Sequence, residues 1–379
     1  MEKHIPFNQP YLCGKETEYI LQAVQTKKIS GNGIFTQKCQ EFFEKRYGFK
    51  KCLLTTSCTD ALEMAALLIN VQPGDEVIVP SFTFVSTANA FMLRGAKVIF
   101  ADSEEKTPNI DADKIEQLIT PKTKAITVVH YAGVACDMDK IMDIASRHNL
   151  IVLEDAAQSI DAYYKGNPLG GIGHLAAFSF HETKNIISGE GGMLVVNDER
   201  FIKRAEILWE KGTNRAAFWR GEVDKYNWVD VGSSFLPSEI IAAFLYAQLE
   251  CLEPIQQKRI KLWNLYYTLL EPLQQKGWIK LPFIHKDASN NAHVFYLVCK
   301  TASERNELIS YLKQHNVNAV FHYLSLHASP FYKQLYSGAE LKNSNHFSDC
   351  LVRLPMYFEL SEEDVERVAE TINRFYLSS

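Results

Sequence analysis

Between Cys52 and Asn197, short apolar runs alternate with longer amphipathic stretches. The short runs are rich in β-branched residues, which favours strands, whereas the longer stretches repeat apolar residues at helical intervals. This alternation is typical of βαβ units, in which helices cover both faces of a mainly parallel sheet. Strands are predicted at Glu76–Pro80, Lys97–Ala101, Ile151–Asp155 and residues 125–130, 175–180 and 193–197, and helices at residues 61–70, 83–93, 112–119 and 138–149.

The pattern changes in the second half of the chain. A long amphipathic segment at residues 238–270 predicts a bridge between two domains. Beyond Trp278, strands at residues 292–300 and 318–322 and helices at residues 302–315 and 362–376 predict a compact α+β arrangement. We therefore expect an α/β protein with a large domain at residues 1–250 and a smaller C-terminal α+β domain at residues 251–379.

Composition excludes several classes of protein. The chain has 379 residues, 46% hydrophobic and 22% charged, and can bury a large core. Its 40 Lys and Arg against 45 Asp and Glu give a net charge of −5 without blocks of like charge, so we expect no nucleic-acid partner. No apolar signal core or membrane-length apolar window occurs, which predicts a soluble cytoplasmic protein without membrane contact. Eight scattered cysteines without a C-x-x-C pair predict reduced thiols and no metal site.

Two residues at predicted strand ends suggest cofactor chemistry together. Asp155 ends an apolar strand, where taken alone it also fits a helix N-cap. Lys184 lies between a strand and the Gly-rich turn at residues 189–192, where taken alone it fits a solvated surface residue. In combination they match pyridoxal phosphate, which needs an amine for covalent attachment and an anion against its protonated ring nitrogen.

The same cofactor needs a phosphate cradle and a flat apolar face. Residues 55–63 form a hydroxyl-rich turn that runs into a helix, whose first N–H groups have no internal partner. Ser57, Thr59 and the backbone N–H of Asp60 are candidate donors, although Asp60 and Glu63 also form an ordinary capping box. Phe82 and Phe84 follow a strand and offer an aromatic face, although either also fits the core.

Four segments of the chain carry a resemblance: Ser-Cys-Thr-Asp-Ala-Leu, Pro-Ser-Phe-Thr-Phe, Glu-Asp-Ala-Ala-Gln, and Phe-Ser-Phe-x-x-x-Lys with Gly-Glu-Gly-Gly. In this order they resemble the DegT-type sugar-nucleotide aminotransferases of fold type I. The likeness runs from about residue 5 to residue 376. It implies a pyridoxal-phosphate-dependent aminotransferase with a mixed, mostly parallel sheet in its large domain. It further implies that Lys184 binds the cofactor covalently and acts in catalysis. Around the cofactor ring, it implies contacts of Asp155 to the ring nitrogen, Gln158 to the ring hydroxyl and Phe84 to the ring face. The remaining implied cofactor contacts, around the phosphate, are Ser179, Cys58, Thr59 and Asp60.

One segment departs from the family pattern. Many relatives carry Gly-Tyr-Asn-Tyr-Arg-Met, whose Asn contacts the cofactor phosphate of the partner subunit, whereas this chain has Gly-Ser-Ser-Phe-Leu-Pro at residues 232–237. Ser234 is the available donor there, with a shorter reach. The resemblance implies a homodimer with shared active sites.

The substrates implied are glutamate as amino donor and a nucleotide diphosphate keto sugar as acceptor. Arg215 and Arg220 lie on a Gly-punctuated loop after Lys184 and fit phosphate binding as well as plain solvated charge. Tyr323 and His327 match a family segment near the substrate, although histidines of this kind are often structural. His181 is a candidate sugar contact or a packing residue.

The segments at residues 129–136, 179–185, 211–215 and 230–234 resemble the branch of the family that aminates C4 of dTDP-4-keto-6-deoxyglucose. This likeness implies dTDP-4-amino-4,6-dideoxygalactose as product and a place in surface-polysaccharide synthesis, such as enterobacterial common antigen or lipopolysaccharide. A 3-keto sugar, or a gluco-configured 4-amino product, needs almost the same cofactor residues. Relatives that dehydrate C3 replace the lysine by His, so Lys184 favours transamination, and a non-catalytic relative is the remaining alternative.

Overall fold

A seven-stranded sheet organises the fold. The computed structural model describes residues 3–378. The strands are β1 (Lys51–Thr55), β2 (Glu76–Pro80), β3 (Lys97–Ala101), β4 (Thr123–Val129), β5 (Ile151–Asp155), β6 (Tyr163–Tyr164), β7 (Asn167–Pro168), β8 (Leu175–Ser179), β9 (Gly192–Val196), β10 (Phe295–Val298), β11 (Val320–Phe321) and β12 (Leu351–Leu354). The large sheet has the order β1-β9-β8-β5-β4-β2-β3, with β9 antiparallel to β1 and β8 and the other neighbouring pairs parallel.

Helices cover both faces of this sheet. They are α1 (Glu16–Gln25), α2 (Ile34–Tyr47), α3 (Cys58–Leu68), α4 (Val85–Met92), α5 (Met138–Arg147), α6 (Glu199–Trp209), α7 (Arg215–Trp219), α8 (Glu239–Glu250), α9 (Leu252–Gln275), α10 (Ala302–Gln314), α11 (Lys342–Cys350) and α12 (Glu362–Ser378). Val77 and Val79 of β2 face the core formed with α3, α4 and α6, whereas Ile78 faces the core formed with α5. Both faces of β2 are therefore apolar, which explains its continuous apolar sequence.

A second, three-stranded antiparallel sheet with the order β10-β12-β11 lies in the C-terminal part. Helices α9, α10 and α12 pack against it and form one apolar core. Ile5 is fully buried in this core and pairs with Val317, so the N-terminal segment packs on the C-terminal part of the chain. The division of the chain at residue 250 stays a prediction.

The helix predicted at residues 112–119 is wrong. The segment forms two short 3₁₀ turns, Ala112–Lys114 and Glu116–Leu118, and Ile119 already has extended φ and ψ angles of −74° and 130°. Pro121 disfavours helical geometry at the residue before it, which leaves too few residues for a stable α-helix.

The amphipathic segment at residues 238–270 consists of two helices rather than one. Cys251 interrupts it with φ −103° and ψ 11°, between the end of α8 and the start of α9. Pro254 follows in the first turn of α9, where its missing N–H is tolerated, but inside a continuous helix its ring would clash with the carbonyl of Glu250.

Two findings bear on the class of protein. Within residues 3–378, no helix combines the length and the apolar character that crossing a membrane requires. The eight cysteines are free thiols in the structure. The most buried of them, Cys39, Cys52, Cys136, Cys299 and Cys350, belong to the apolar cores.

Candidate active site

A cavity of about 610 Å³ lies where the carboxyl ends of the parallel strands meet the small sheet. Val129, Asp155 and Ser179, the last residues of β4, β5 and β8, line one wall, and Arg353 of β12 lines another. Ligands of open α/β sheets bind outside the carboxyl ends of the strands, so the topology places a binding site here. The complete lining is Ser57, Cys58, Thr59, Leu62, Thr83, Phe84, Ser86, Val129, Asp155, Ala157, Gln158, Ser179, His181, Thr183, Lys184, Glu190, His293, Phe321, His322, Tyr323 and Arg353.

Lys184 faces this cavity from the turn after β8. Its backbone N–H donates to the carbonyl of His181 at 2.9 Å, which fixes the turn, while its amine has no hydrogen-bond or ion-pair partner within residues 3–378. Burial lowers the pKa of this amine, and the charge of Arg353 acts in the same direction. A lowered pKa increases the fraction of unprotonated amine, which is the nucleophilic form.

Asp155 is 5% exposed and lies at the floor of the cavity. Burial raises the pKa of its carboxyl, whereas the hydroxyl of Thr87, the backbone N–H of Ala157 and the charge of Lys184 oppose that rise. Thr87 Oγ1 donates to Asp155 Oδ2 at 2.7 Å, and Ala157 N donates to Oδ1 at 3.2 Å. The Ala157 bond closes a turn rather than capping a helix, so the predicted N-cap is absent and the carboxylate remains available to a cation in the cavity.

The predicted phosphate cradle surrounds the start of α3. Thr59 Oγ1 lies 2.7 Å from Ser86 Oγ, and Cys58 and Ser179 also line the cavity. The first N–H groups of α3 have no partner within the helix, which suits a phosphate group. Burial raises the pKa of the Cys58 thiol well above its ordinary value, so it adds no negative charge that would repel a phosphate.

Asp60 does not line the cavity, and its predicted backbone contact to the phosphate stays a prediction. That N–H donates to Ser57 Oγ at 3.0 Å, and the Asp60 carboxylate accepts the hydroxyls of Ser57 and Thr56. Asp60 therefore stabilises the turn that presents its neighbours. The cap that forms is that of Ser57 on the Asp60 N–H, not the capping box of Asp60 with Glu63 that the sequence suggested.

Glycines allow β9 to approach this turn closely. Gly189 has φ +79°, a left-handed conformation that favours glycine. A Cβ atom on Gly192 would overlap the carbonyl of Ser57 and the nitrogen of Cys58. The Gly-rich turn after Lys184 therefore belongs to the packing of the cradle. The hydroxyl donors, the start of α3, the partnerless amine and the buried carboxylate together fit pyridoxal phosphate.

Phe84 and Gln158 complete the wall around the predicted ring position. Phe84 lines the cavity with 54% of its surface exposed, whereas Phe82 is 1% exposed and packs in a core cluster. Gln158 Oε1 accepts the backbone N–H of Ala132 at 2.7 Å, and its Nε2 donates to Tyr323 Oη at 3.2 Å. Phe84 is thus the exposed aromatic ring of the pair.

Four predicted site residues besides Asp60 lie outside the cavity in this chain. Arg220 pairs with Glu206 and Glu222 at 2.9 and 2.7 Å, and Arg215 lies 3.8 Å from Glu210, so both cations have acidic partners. His327 is buried, and its Nδ1 lies 2.6 Å from Ser81 Oγ, which is the structural role that the sequence left open. Ser234 is exposed on a loop. By contrast, His181 and Tyr323 do line the cavity.

Sequence reasoning missed Arg353, His293 and Thr87. Arg353 and His293 line the cavity, as does His322 of the segment that contains Tyr323 and His327, and Thr87 holds Asp155. Burial lowers the pKa values of both histidines well below 6.5, so they are neutral. The available signal for Arg353 was a single charged residue inside the apolar run at residues 350–356.

Comparison with known proteins agrees with this geometry. The DegT/DnrJ/EryC1/StrS aminotransferase family model matches residues 10–373. The chain belongs to this family. It is 34% identical over 378 residues to the spore coat polysaccharide biosynthesis protein SpsC of Bacillus subtilis, covering 97% of this chain and 96% of that protein. It is also 34% identical over 378 residues to the GDP-perosamine synthase of Escherichia coli O157:H7, covering 99% of each chain.

A solved structure supports the fold independently of these relatives. DesV from S. venezuelae superimposes with a TM-score of 0.89 at 27% identity and covers 99% of each chain. The predicted fold-type-I α/β architecture is therefore confirmed, as are pyridoxal phosphate dependence and sugar aminotransferase activity. The roles of individual site residues in this DegT/DnrJ/EryC1/StrS family member stay predictions.

Proposed function

We propose that this aminotransferase transfers an amino group from glutamate to C4 of dTDP-4-keto-6-deoxyglucose and forms dTDP-4-amino-4,6-dideoxygalactose for surface-polysaccharide synthesis in the cytoplasm. The observation that carries the reaction class is the convergence of Lys184 and Asp155 on one cavity beside a hydroxyl-rich helix start. The choice of sugar rests on the four sequence segments that resemble the dTDP-sugar branch of the family.

The side chains divide the chemistry between them. Pyridoxal phosphate supplies an electron sink that eases proton removal from the carbon bearing the transferred nitrogen. Lys184 takes the proton from the α-carbon of the donor and later delivers a proton to C4 of the sugar, since its amine is desolvated and partnerless. Asp155 holds a positive charge at the ring nitrogen, and Phe84 covers the ring face.

A second copy of the chain is part of the proposal. Phe84 is half exposed although it is proposed to cover the ring, and Trp219 and Trp228 are 70% and 81% exposed on the loop that contains Arg215 and Ser234. Large exposed aromatic side chains suit a subunit interface. We propose a homodimer in which this loop approaches the partner's cavity, and light scattering of the purified protein gives the mass that tests it.

The relatives favour one further candidate for the sugar. Two chains named GDP-perosamine synthase are 34% and 33% identical to this one over nearly its whole length. A GDP-linked keto sugar is therefore the alternative acceptor. The cofactor residues do not discriminate between the bases, because specificity for the nucleotide depends on contacts at the rim of the cavity.

The product decides between these possibilities. Purified protein loaded with pyridoxal phosphate is incubated with glutamate and dTDP-4-keto-6-deoxyglucose, and the ring proton couplings of the product are measured by NMR. A small coupling between H3 and H4 means an axial amine and supports the proposal. A large coupling replaces it with the gluco epimer, and a product formed only from a GDP-linked keto sugar replaces the nucleotide.

A further inference from the structure

Arg353 occupies a central position in the wall of the cavity. It lies on β12, the middle strand of the small sheet, where Tyr296 of β10 and Val320 of β11 are its register partners. Its side chain lines the same cavity as Lys184 and Asp155. The small sheet therefore brings a guanidinium group to a site that is otherwise built from the large sheet.

This guanidinium has no acidic partner among the described residues. Within residues 3–378, no carboxylate lies within 4.0 Å of it, and its Nε is shielded from solvent without a hydrogen-bond acceptor. Its close neighbour is the ring of Phe7, with the guanidinium carbon 4.7 Å from the ring centroid. Burial lowers its pKa, which reflects the cost of holding a charge away from water.

A second arginine shows what a satisfied buried guanidinium looks like in the same region. Arg259 is 4% exposed, and it donates to the carbonyls of Ala292 and His293 at 3.1 and 2.6 Å. Arg94, Arg305 and Arg367 also have an Nε without a partner, but they lie outside the cavity. Among the described residues, Arg353 therefore combines unused donors with a place in the cavity wall.

The neighbouring groups leave the positive charge of Arg353 uncompensated. His293 and His322 are neutral for the reason given above, and the hydroxyl of Tyr131 lies 2.7 Å from His322 Nδ1. Burial raises the pKa values of Tyr131 and Tyr323, so neither phenol supplies a negative charge. An anion that enters this part of the cavity meets donors, and the carboxylates that line the cavity are those of Asp155 and Glu190.

The planar fork of a guanidinium matches a carboxylate with two parallel hydrogen bonds. A nucleotide diphosphate is a poorer fit at this position, because its bulky nucleoside must extend to the rim while Arg353 Nε is shielded from solvent. We propose that Arg353 binds a carboxylate of the amino donor and thereby restricts the donor to amino acids. This inference rests on the proposed function, since it assigns the donor subsite of that reaction.

Replacing the charge tests the assignment. Arg353→Met keeps much of the length and apolar surface of the side chain but removes all donors. We expect the glutamate concentration for half-maximal conversion of the bound cofactor to rise about 100-fold, the usual scale for losing a charge-assisted pair. Arg353→Lys restores the charge without the fork, so we expect it to recover only part of the loss.

The donor half-reaction is measured by the absorbance change of the loaded protein on mixing with glutamate, without keto sugar. Binding of glutarate, which has carboxylates but no amine, is measured separately by calorimetry and needs no turnover. Arg94→Met is the matched control, because Arg94 also has a shielded Nε without a hydrogen-bond partner but does not line the cavity. Thermal unfolding of each variant verifies folding.

The inference is supported if Arg353→Met, but not the control variant, loses glutarate binding and uses glutamate less well. The response of Arg353→Met to the keto sugar must be retained. Unchanged glutarate binding overturns the inference, as does a defect confined to the keto sugar, which assigns Arg353 to the diphosphate. A wild-type protein that binds glutarate through Arg353 but does not react with glutamate refutes the proposed donor and leaves the carboxylate site intact.

Discussion

Thr87 offers the most specific test of how the carboxylate of Asp155 is held. Its hydroxyl donates to Asp155 Oδ2 at 2.7 Å, and Thr83 Oγ1 lies 2.9 Å from Thr87 Oγ1. Thr87 has a single hydroxyl hydrogen and gives it to the carboxylate, so Thr83 is the donor in the second contact. The two threonines, four residues apart at the start of α4, form a hydroxyl chain that ends on Asp155.

The perturbation is Thr87→Val, which exchanges the hydroxyl for a methyl group of similar size. A hydrogen bond to a charged group contributes about 1.5–3 kcal/mol. Losing it destabilises the ionised form of Asp155 by that amount and raises the pKa of its carboxyl further. Because the ionised form binds the positive ring nitrogen, we expect the affinity for pyridoxal phosphate to fall about 10- to 100-fold.

Equilibrium dialysis of pyridoxal phosphate against wild type, Thr87→Val and Thr87→Ser measures this effect. Thr87→Ser keeps the hydroxyl, so we expect its affinity to stay near that of the wild type. Thermal unfolding without cofactor separates a local effect from a loss of fold. Wild-type affinity in Thr87→Val, or an equal loss in both variants, refutes the role of this hydrogen bond.

Two further predictions follow from the packing and the charges. Gly192→Ala places a methyl group against the backbone of Ser57, so we expect the free energy of unfolding to fall by about 1–3 kcal/mol. The control is Gly338→Ala, which we expect to change it little, because the nearest neighbour there is the end of the Tyr336 side chain. Equal effects of the two variants contradict the close approach of Gly192 to Ser57. Burial lowers the pKa of His293 well below 6.5 in the folded protein. As the pH drops below about 6.5, this histidine takes up a proton in the unfolded chain but not in the folded one. The free energy of unfolding therefore falls as the pH drops. We expect His293→Gln to lose part of this acid sensitivity in urea unfolding between pH 7.5 and 5, and unchanged pH dependence contradicts it.

The elements around the site were predictable because the local pattern and the tertiary environment agree there. β2, β3 and β5 have the predicted bounds, since each is an apolar run between clear breaks and is buried on both faces. Asp155 was recognisable because it ends β5, and Lys184 because it lies between β8 and the Gly-rich turn. Strand β1 and helices α1 and α2 were missed, because β1 offers only a short apolar run and the two helices begin without a capping side chain.

The rest of the site depends on contacts between distant segments. Arg353 reaches the cavity only because the small sheet packs against the large one. Its local signal, a charged residue inside an apolar run, does not indicate which site it faces. His327 and Asp60 show the converse. Each lies in a motif consistent with ligand binding, but its polar group is already hydrogen-bonded to a nearby hydroxyl. Ser81 is the partner of the His327 ring, and Ser57 is the partner of the Asp60 backbone N–H.

The central claim is that Lys184 is the residue to which the cofactor is attached. The protein loaded with pyridoxal phosphate is treated with borohydride, which makes the attachment permanent, and is then digested and analysed by mass spectrometry. We expect one pyridoxyl group per chain on Lys184, and in Lys184→Ala neither this adduct nor turnover. Attachment to a different lysine, or appreciable turnover by Lys184→Ala, would contradict the account.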